Sequence, residues 1–210
     1  MRVDKLTTKF RESLEQAQSL ALGSDHAYIE PPHLVLAMLD QQDGPRALLE
    51  RAGIQIDGLR KAARDLMNKM PHVQGQEQVQ VGRDLVSLLQ AAEKEGIKRD
   101  DAFIASELFF LALCDHKGDM AQAARNAGLS RKAMEMASAA VRGGHKGDNP
   151  EAEREQHQGA QELREYFPTD ATRHQIALPL RKTEAHCRLS GHAACARPRS
   201  RHHQVPRHRL

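Results

Sequence analysis

Apolar residues recur along the first half of this chain at three- and four-residue steps, the spacing that places them on one face of a helix. Leu6, Phe10, Leu14, Ala17 and Ala21 follow that rule and predict a helix over residues 5–22. A second helix is expected to start at Pro31-Pro32, because proline suits a first helical turn, and to carry Leu34, Val35, Met38 and Leu39. A third is expected over 45–52, stopped by Gly53 as a left-handed cap. A fourth is expected over 57–70, with Leu59, Ala62, Ala63 and Leu66 on its apolar face.

The same plan then repeats at a fixed offset of 75 positions without a gap. Tyr28-Ile29 matches Phe103-Ile104, and Ala52-Gly53-Ile54 matches Ala127-Gly128-Leu129. Leu34, Leu36, Ala37 and Asp40 match Phe109, Leu111, Ala112 and Asp115. Phe10, Leu14 and Ala17 match Leu85, Leu89 and Ala92, and Asp25 matches Asp100. In the second copy Ser106 is expected to be a helix N-cap, Gly128 to end the third helix, Ser130 to cap the fourth, and Gly143-Gly144 to end it. Residues 71–81 join the copies. The fold class expected is all-α, a duplicated four-helix unit of eight helices packed about a pseudo-twofold axis. Such packing leaves a groove between the copies, a common place for another chain to bind.

Composition agrees with helices. The chain has no Trp, 2 Tyr and 5 Phe, so Leu, Ala, Met and Val must fill the core. No stretch approaches a membrane span, the start lacks a hydrophobic signal core, and Cys114, Cys187 and Cys195 do not suggest a disulfide framework. A cytoplasmic protein with no membrane association is expected. Charge divides the chain. Residues 1–144 carry 19 Lys+Arg against 20 Asp+Glu, residues 145–170 carry 3 against 7, and residues 171–210 carry 9 against Glu184 alone. The net charges are −1, −4 and +8, which sum to the +3 of the whole chain. Three parts are expected: a domain over 1–144, a charged linker over 145–164, and a basic Arg/His/Pro-rich tail over 165–210 that is disordered or out of frame.

Several blocks are familiar. The opening Met1-Arg2-Val3-Asp4-Lys5-Leu6-Thr7-Thr8-Lys9-Phe10, then Ala17-Gln18-Ser19-Leu20-Ala21, Tyr28-Ile29-Glu30-Pro31-Pro32-His33-Leu34 and Phe103-Ile104-Ala105-Ser106-Glu107-Leu108-Phe109 resemble the N-terminal domain of the bacterial ClpB disaggregase family of Hsp100/Clp chaperones. The resemblance implies a substrate-capture or adaptor-docking domain on a hexameric ATPase. Its implied partners are unfolded or aggregated protein segments, with a full-length ClpB-like hexamer or an adaptor as a further partner. Family positions tied to that role fall on Thr7, Asp101 and Glu107, with apolar groove positions at Leu89 and Leu108. Each has a competing structural role. Thr7 sits where it caps the first helix. Asp101 braces the turn at 99–102, and Glu107 suits a helix N-terminus. Leu89 and Leu108 are either groove or core. Leu108 is expected to be partly exposed, since its counterpart in the first copy is the polar His33, itself read as a surface or packing residue.

The family's ATPase signatures do not follow. No Gly-Lys-Ser/Thr phosphate loop and no magnesium-binding acidic pair occurs, and no catalytic arrangement has a structural setting, so no enzyme activity and no cofactor are expected. His186-Cys187, His192 and Cys195 match no standard zinc spacing, so no metal is expected, and Cys114 is read as inert core. The tail has three competing readings: a frameshifted product, a basic arm for nucleic acid or an acidic partner, or a solvated tail. Residues 171–210 interleave no aromatics to stack bases, so nucleic acid is the lesser expectation. The alternatives to a protein-binding domain are therefore a nucleic-acid binder using that tail, and a truncated product without independent function.

Overall fold

The offset of 75 in the sequence is also an offset in structure. The computed structural model describes residues 3–41, 44–73, 78–142, 147–151 and 153, all within the first compact unit of the chain. A 3-10 turn at Val3–Lys5 leads into α1 (Thr8–Gly23), β1 (Tyr28–Ile29), α2 (Pro31–Asp40), α3 (Arg46–Arg51) and α4 (Ile56–Met67). Then come β2 (Gln80–Val81), α5 (Arg83–Lys98), α6 (Ser106–Asp115), α7 (Asp119–Asn126) and α8 (Arg131–Arg142). The bounds of α1 and α5, of α2 and α6, and of α4 and α8 each differ by 75.

The backbone specials repeat at the same interval. Asp25 and Asp100 have φ of 54° and 59°, in the left-handed region where Asp is among the few tolerated residues. Gly53 and Gly128 have φ of 81° and 102° and end α3 and α7 as left-handed caps. The fourth-helix cap also holds, since Ser130 Oγ accepts from Ala133 N. The Ser106 expectation does not. Ala105 is the N-cap of α6, and Ser106 is its first helical residue. Gly143 and Gly144 lie outside the described residues.

Within each copy the first and second helices pack together and the second packs on the fourth. Across the copies α4 packs on α7 and α3 on α8. Phe10 of α1 meets Phe109 of α6 edge-on, with ring centroids 6.0 Å apart, and Phe110 stacks edge-on against Phe109. The copies thus share one core, whose fully buried members include Leu6, Phe10, Leu34, Leu59, Leu85, Leu108 and Phe109.

Sequence periodicity missed the short strands. β1 and β2 pair in parallel, Tyr28 with Gln80 and Ile29 with Val81. A second parallel bridge joins Leu6 to Ile104. The two are pseudo-symmetry mates, because Leu6 corresponds to Val81 and Ile29 to Ile104. Their hydrogen bonds match as well. Thr7 N donates to Ile104 O at 3.1 Å, and Gly82 N donates to Ile29 O at 2.9 Å. Each seam therefore joins the strand entering one copy's first helix to the strand before the other copy's second helix. Two-residue ladders carry too few positions for an alternation pattern to show.

Candidate functional site

The seam at Leu6–Ile104 gathers three of the residues singled out from sequence. Thr7 is the N-cap of α1, and its Oγ1 accepts from Phe10 N at 3.3 Å. Asp101 follows the left-handed Asp100, and Glu107 lies in the first turn of α6. Arg142, the last residue of α8, lies between the two acids. It donates through Nη1 to Asp101 Oδ1 at 2.8 Å and makes a close ion pair with Glu107. Ser138 Oγ donates to Glu107 Oε2 at 2.7 Å. Asp101 Oδ1 also accepts from Gly147 N at 2.8 Å, while its Oδ2 is buried without a partner. The Asp101 side chain thus ties the region after α5 to α8 and to residue 147.

The segment after α8 runs across this seam. Phe103 N donates to Gly147 O, and Thr8 N donates to Pro150 O, both at 3.0 Å. Thr8 Oγ1 donates to Glu151 Oε1 at 2.6 Å. Ser106 donates to the Glu153 carboxylate through its backbone N and through Oγ. Residues 145–164 were expected to be linker. Instead, 147–151 and 153 satisfy the first free N–H groups of two helices, one from each copy. Glu153 is 8% exposed, and burial, with Glu107 nearby, pushes its carboxyl up to about 7, against the pull of the Ser106 and Thr7 hydrogen bonds. Glu153 was not singled out from sequence, and nothing in local spacing marks it.

Leu89 and Leu108 belong elsewhere. Leu108 is fully buried and its Cδ1 packs over Gly96 of α5, while Leu89 is buried on α5. The expectation that Leu108 is partly exposed is therefore overturned, and so is the reasoning behind it. His33 is also fully buried. Its Nδ1 accepts from Glu30 N at 3.0 Å, so Nε2 carries the proton and donates to His26 Nδ1 at 2.8 Å. A histidine with both ring nitrogens satisfied sits in a core as readily as leucine does. Burial lowers His33 to about 4, and burial together with His72 lowers His26.

The seam at Ile29–Val81 differs. Tyr28 and Val81 are 52% and 44% exposed, and Val73, whose N donates to Asp25 O, is 43% exposed. Here the carboxylate is built in, because Glu30 lies directly over Gly82, where an added Cβ would collide with it. Cys114 is buried, and burial raises its thiol to about 11, so it is unreactive. Among the described residues no His/Cys/Asp/Glu group is placed to hold a metal ion, and no helix is long and apolar enough to cross a membrane. Cys187, His192 and Cys195 lie outside the described residues.

Residues 5–127 match the family described as the Clp repeat (R) N-terminal domain. Chaperone protein ClpB of Vibrio cholerae is 40% identical over 155 residues, which are 73% of this chain and 18% of that protein. This chain thus spans less than a fifth of the length of that relative. Among solved structures, the Hsp104 N-terminal domain of Candida albicans superposes with a TM-score of 0.62 at 19% identity, covering 71% of this chain and 99% of that one. A ClpV N-domain, solved as a complex with a VipB peptide, superposes with a TM-score of 0.54 at 23% identity, covering 65% of this chain and 86% of that one.

Proposed function

The chain belongs to the Clp repeat N-terminal domain family, and from that premise we propose that it is a protein-binding module of a ClpB-like chaperone, taking extended segments of non-native protein or of an adaptor at the seam between its repeats. One observation supports the reading: the Leu6–Ile104 seam already seats another stretch of polypeptide, bent and turned across it. Residues 147–151 and 153 bind there through backbone carbonyls and carboxylates to groups from both repeats. Backbone-directed contacts accept many sequences, which suits a module that takes varied clients. Thr7, Asp101 and Glu107 line that seam, while Leu89 and Leu108 support it from the core without touching a client. Tyr28 and Val81, exposed on the sister seam, offer further apolar contact there.

The affinity is weak, since a flexible client loses conformational freedom on binding. Weak binding suits capture followed by release to an ATPase. The module binds and does not itself catalyse. The test is fluorescence anisotropy of a labelled, permanently unfolded polypeptide, reduced and carboxymethylated α-lactalbumin, titrated with the full chain across a range of salt. Saturable binding that changes little with salt supports the reading. No binding to the unfolded probe, together with tight DNA binding that falls steeply with salt, would favour a nucleic-acid binder instead.

A further inference from the structure

The two seams share a parallel bridge and its hydrogen bond, and a carboxylate lies against each, from a different source. At the Ile29–Val81 seam, Glu30 lies over Gly82. At the Leu6–Ile104 seam the corresponding positions are Ala105 and Thr7, so the second repeat has no side chain to supply that group. Glu153 supplies it, reaching Ser106 and Thr7 from beyond the end of α8. The second seam thus takes an acidic group from outside its own repeat, and this chain supplies it from residues beyond α8.

We propose that residues 147–151 and 153 form a releasable strap, latched by Glu153, that closes the Leu6–Ile104 seam to client polypeptide and opens when the latch is lost. The proposal rests on the reading that clients bind this seam. Competition follows from the geometry. A client segment crossing the seam needs the N–H groups of Thr8, Phe103 and Ser106, and the strap holds all three.

The latch is weak by construction. Glu107 is the charged group facing Glu153, and it is already paired with Arg142 of α8, which also holds Asp101. Thr7 and Ser106 face Glu153 with hydroxyls, and Glu151 on the strap is bonded to Thr8. Burial beside Glu107 holds the docked carboxyl near 7, above its free value of 4.5. A carboxyl raised on docking takes up protons as the strap closes. Docking is therefore strongest below the free value and weakens as pH rises through the raised one.

The test uses the full chain and its Glu153→Ala and Glu153→Gln variants. Hydrogen exchange of the Thr8 and Phe103 amides reports the strap, and anisotropy of carboxymethylated α-lactalbumin reports the client. Melting curves verify that each variant is folded. In the unmodified chain, amide protection (corrected for intrinsic exchange) should fall, and client affinity should rise, between about pH 6 and about pH 8. Glu153→Gln, which mimics the protonated latch, should stay protected and bind weakly at both values. Glu153→Ala should lose protection at both, with affinity at the lower pH up about tenfold, as expected when a site open about a tenth of the time becomes always open. Unchanged protection in Glu153→Ala would overturn the latch. Lost protection without a gain in affinity would overturn the gating and leave the client-binding reading standing. No client binding by any of the three chains would overturn that reading and the gating with it.

Discussion

Arg142 holds together the acidic side of the seam, and replacing it tests that arrangement quantitatively. Its side chain is 11% exposed between Asp101 at 0% and Glu107 at 5%. Arg142→Met keeps much of the stem's volume and removes the charge, leaving two buried carboxylates uncompensated. Removing one partner of a buried ion pair costs about 3–5 kcal/mol, because the remaining charge stays desolvated. That is a large share of the roughly 5–15 kcal/mol that holds a domain folded. Urea unfolding of the full chain should show it. With a slope of about 2 kcal/mol per molar urea, the midpoint should drop by about 2 M. The triple variant Asp101→Asn, Glu107→Gln, Arg142→Met removes all three charges and should recover most of the loss, since the cost lies in the unpaired charges. A loss below about 1 kcal/mol for Arg142→Met, the value of an exposed pair, would refute the claim that this network is buried and necessary.

Other outcomes follow from the same structure. Leu108→Ala should cost about 2–5 kcal/mol in a denaturation experiment, because Leu108 is fully buried, and unchanged stability would return it to the surface. Gly128→Ala should destabilise more than Gly53→Ala: both sites are left-handed, but only at Gly128 would the new Cβ press on backbone, the Gly53 carbonyl at 3.2 Å. Stability should fall as pH drops from about 6.5 towards His33's lowered value of about 4, because folding requires the neutral ring that the unfolded chain protonates first. His33→Leu, the residue at the matching position of the second repeat, should flatten that acid limb in pH-dependent melts.

Much of the fold was legible because its signals are local. The three- and four-residue spacing of Phe10, Leu14, Ala17 and Ala21 marks α1, which starts after Leu6, and the ungapped match of Gly53 to Gly128 marks two caps with positive φ. Asp25 and Asp100 matched in sequence for the same backbone reason, although the sequence alone did not reveal it. The site was less legible because its contacts are distant in sequence. Glu153 reaches Ser106 across 47 positions, and Arg142 reaches Asp101 across 41. Periodicity reports which face a residue occupies, not which remote chain covers it. A polar residue at the matching position does not mark Leu108 as exposed, because His26 and the Glu30 backbone satisfy His33 in the core.

Whether clients bind the Leu6–Ile104 seam is read out by a backbone NMR titration of the full chain with carboxymethylated α-lactalbumin. The amides of Thr8, Ile104, Phe103 and Ser106 should shift progressively with client, since that seam must exchange its strap for the incoming segment. Resonances that do not move at the seam while the client binds elsewhere, or that do not move at all, would contradict it.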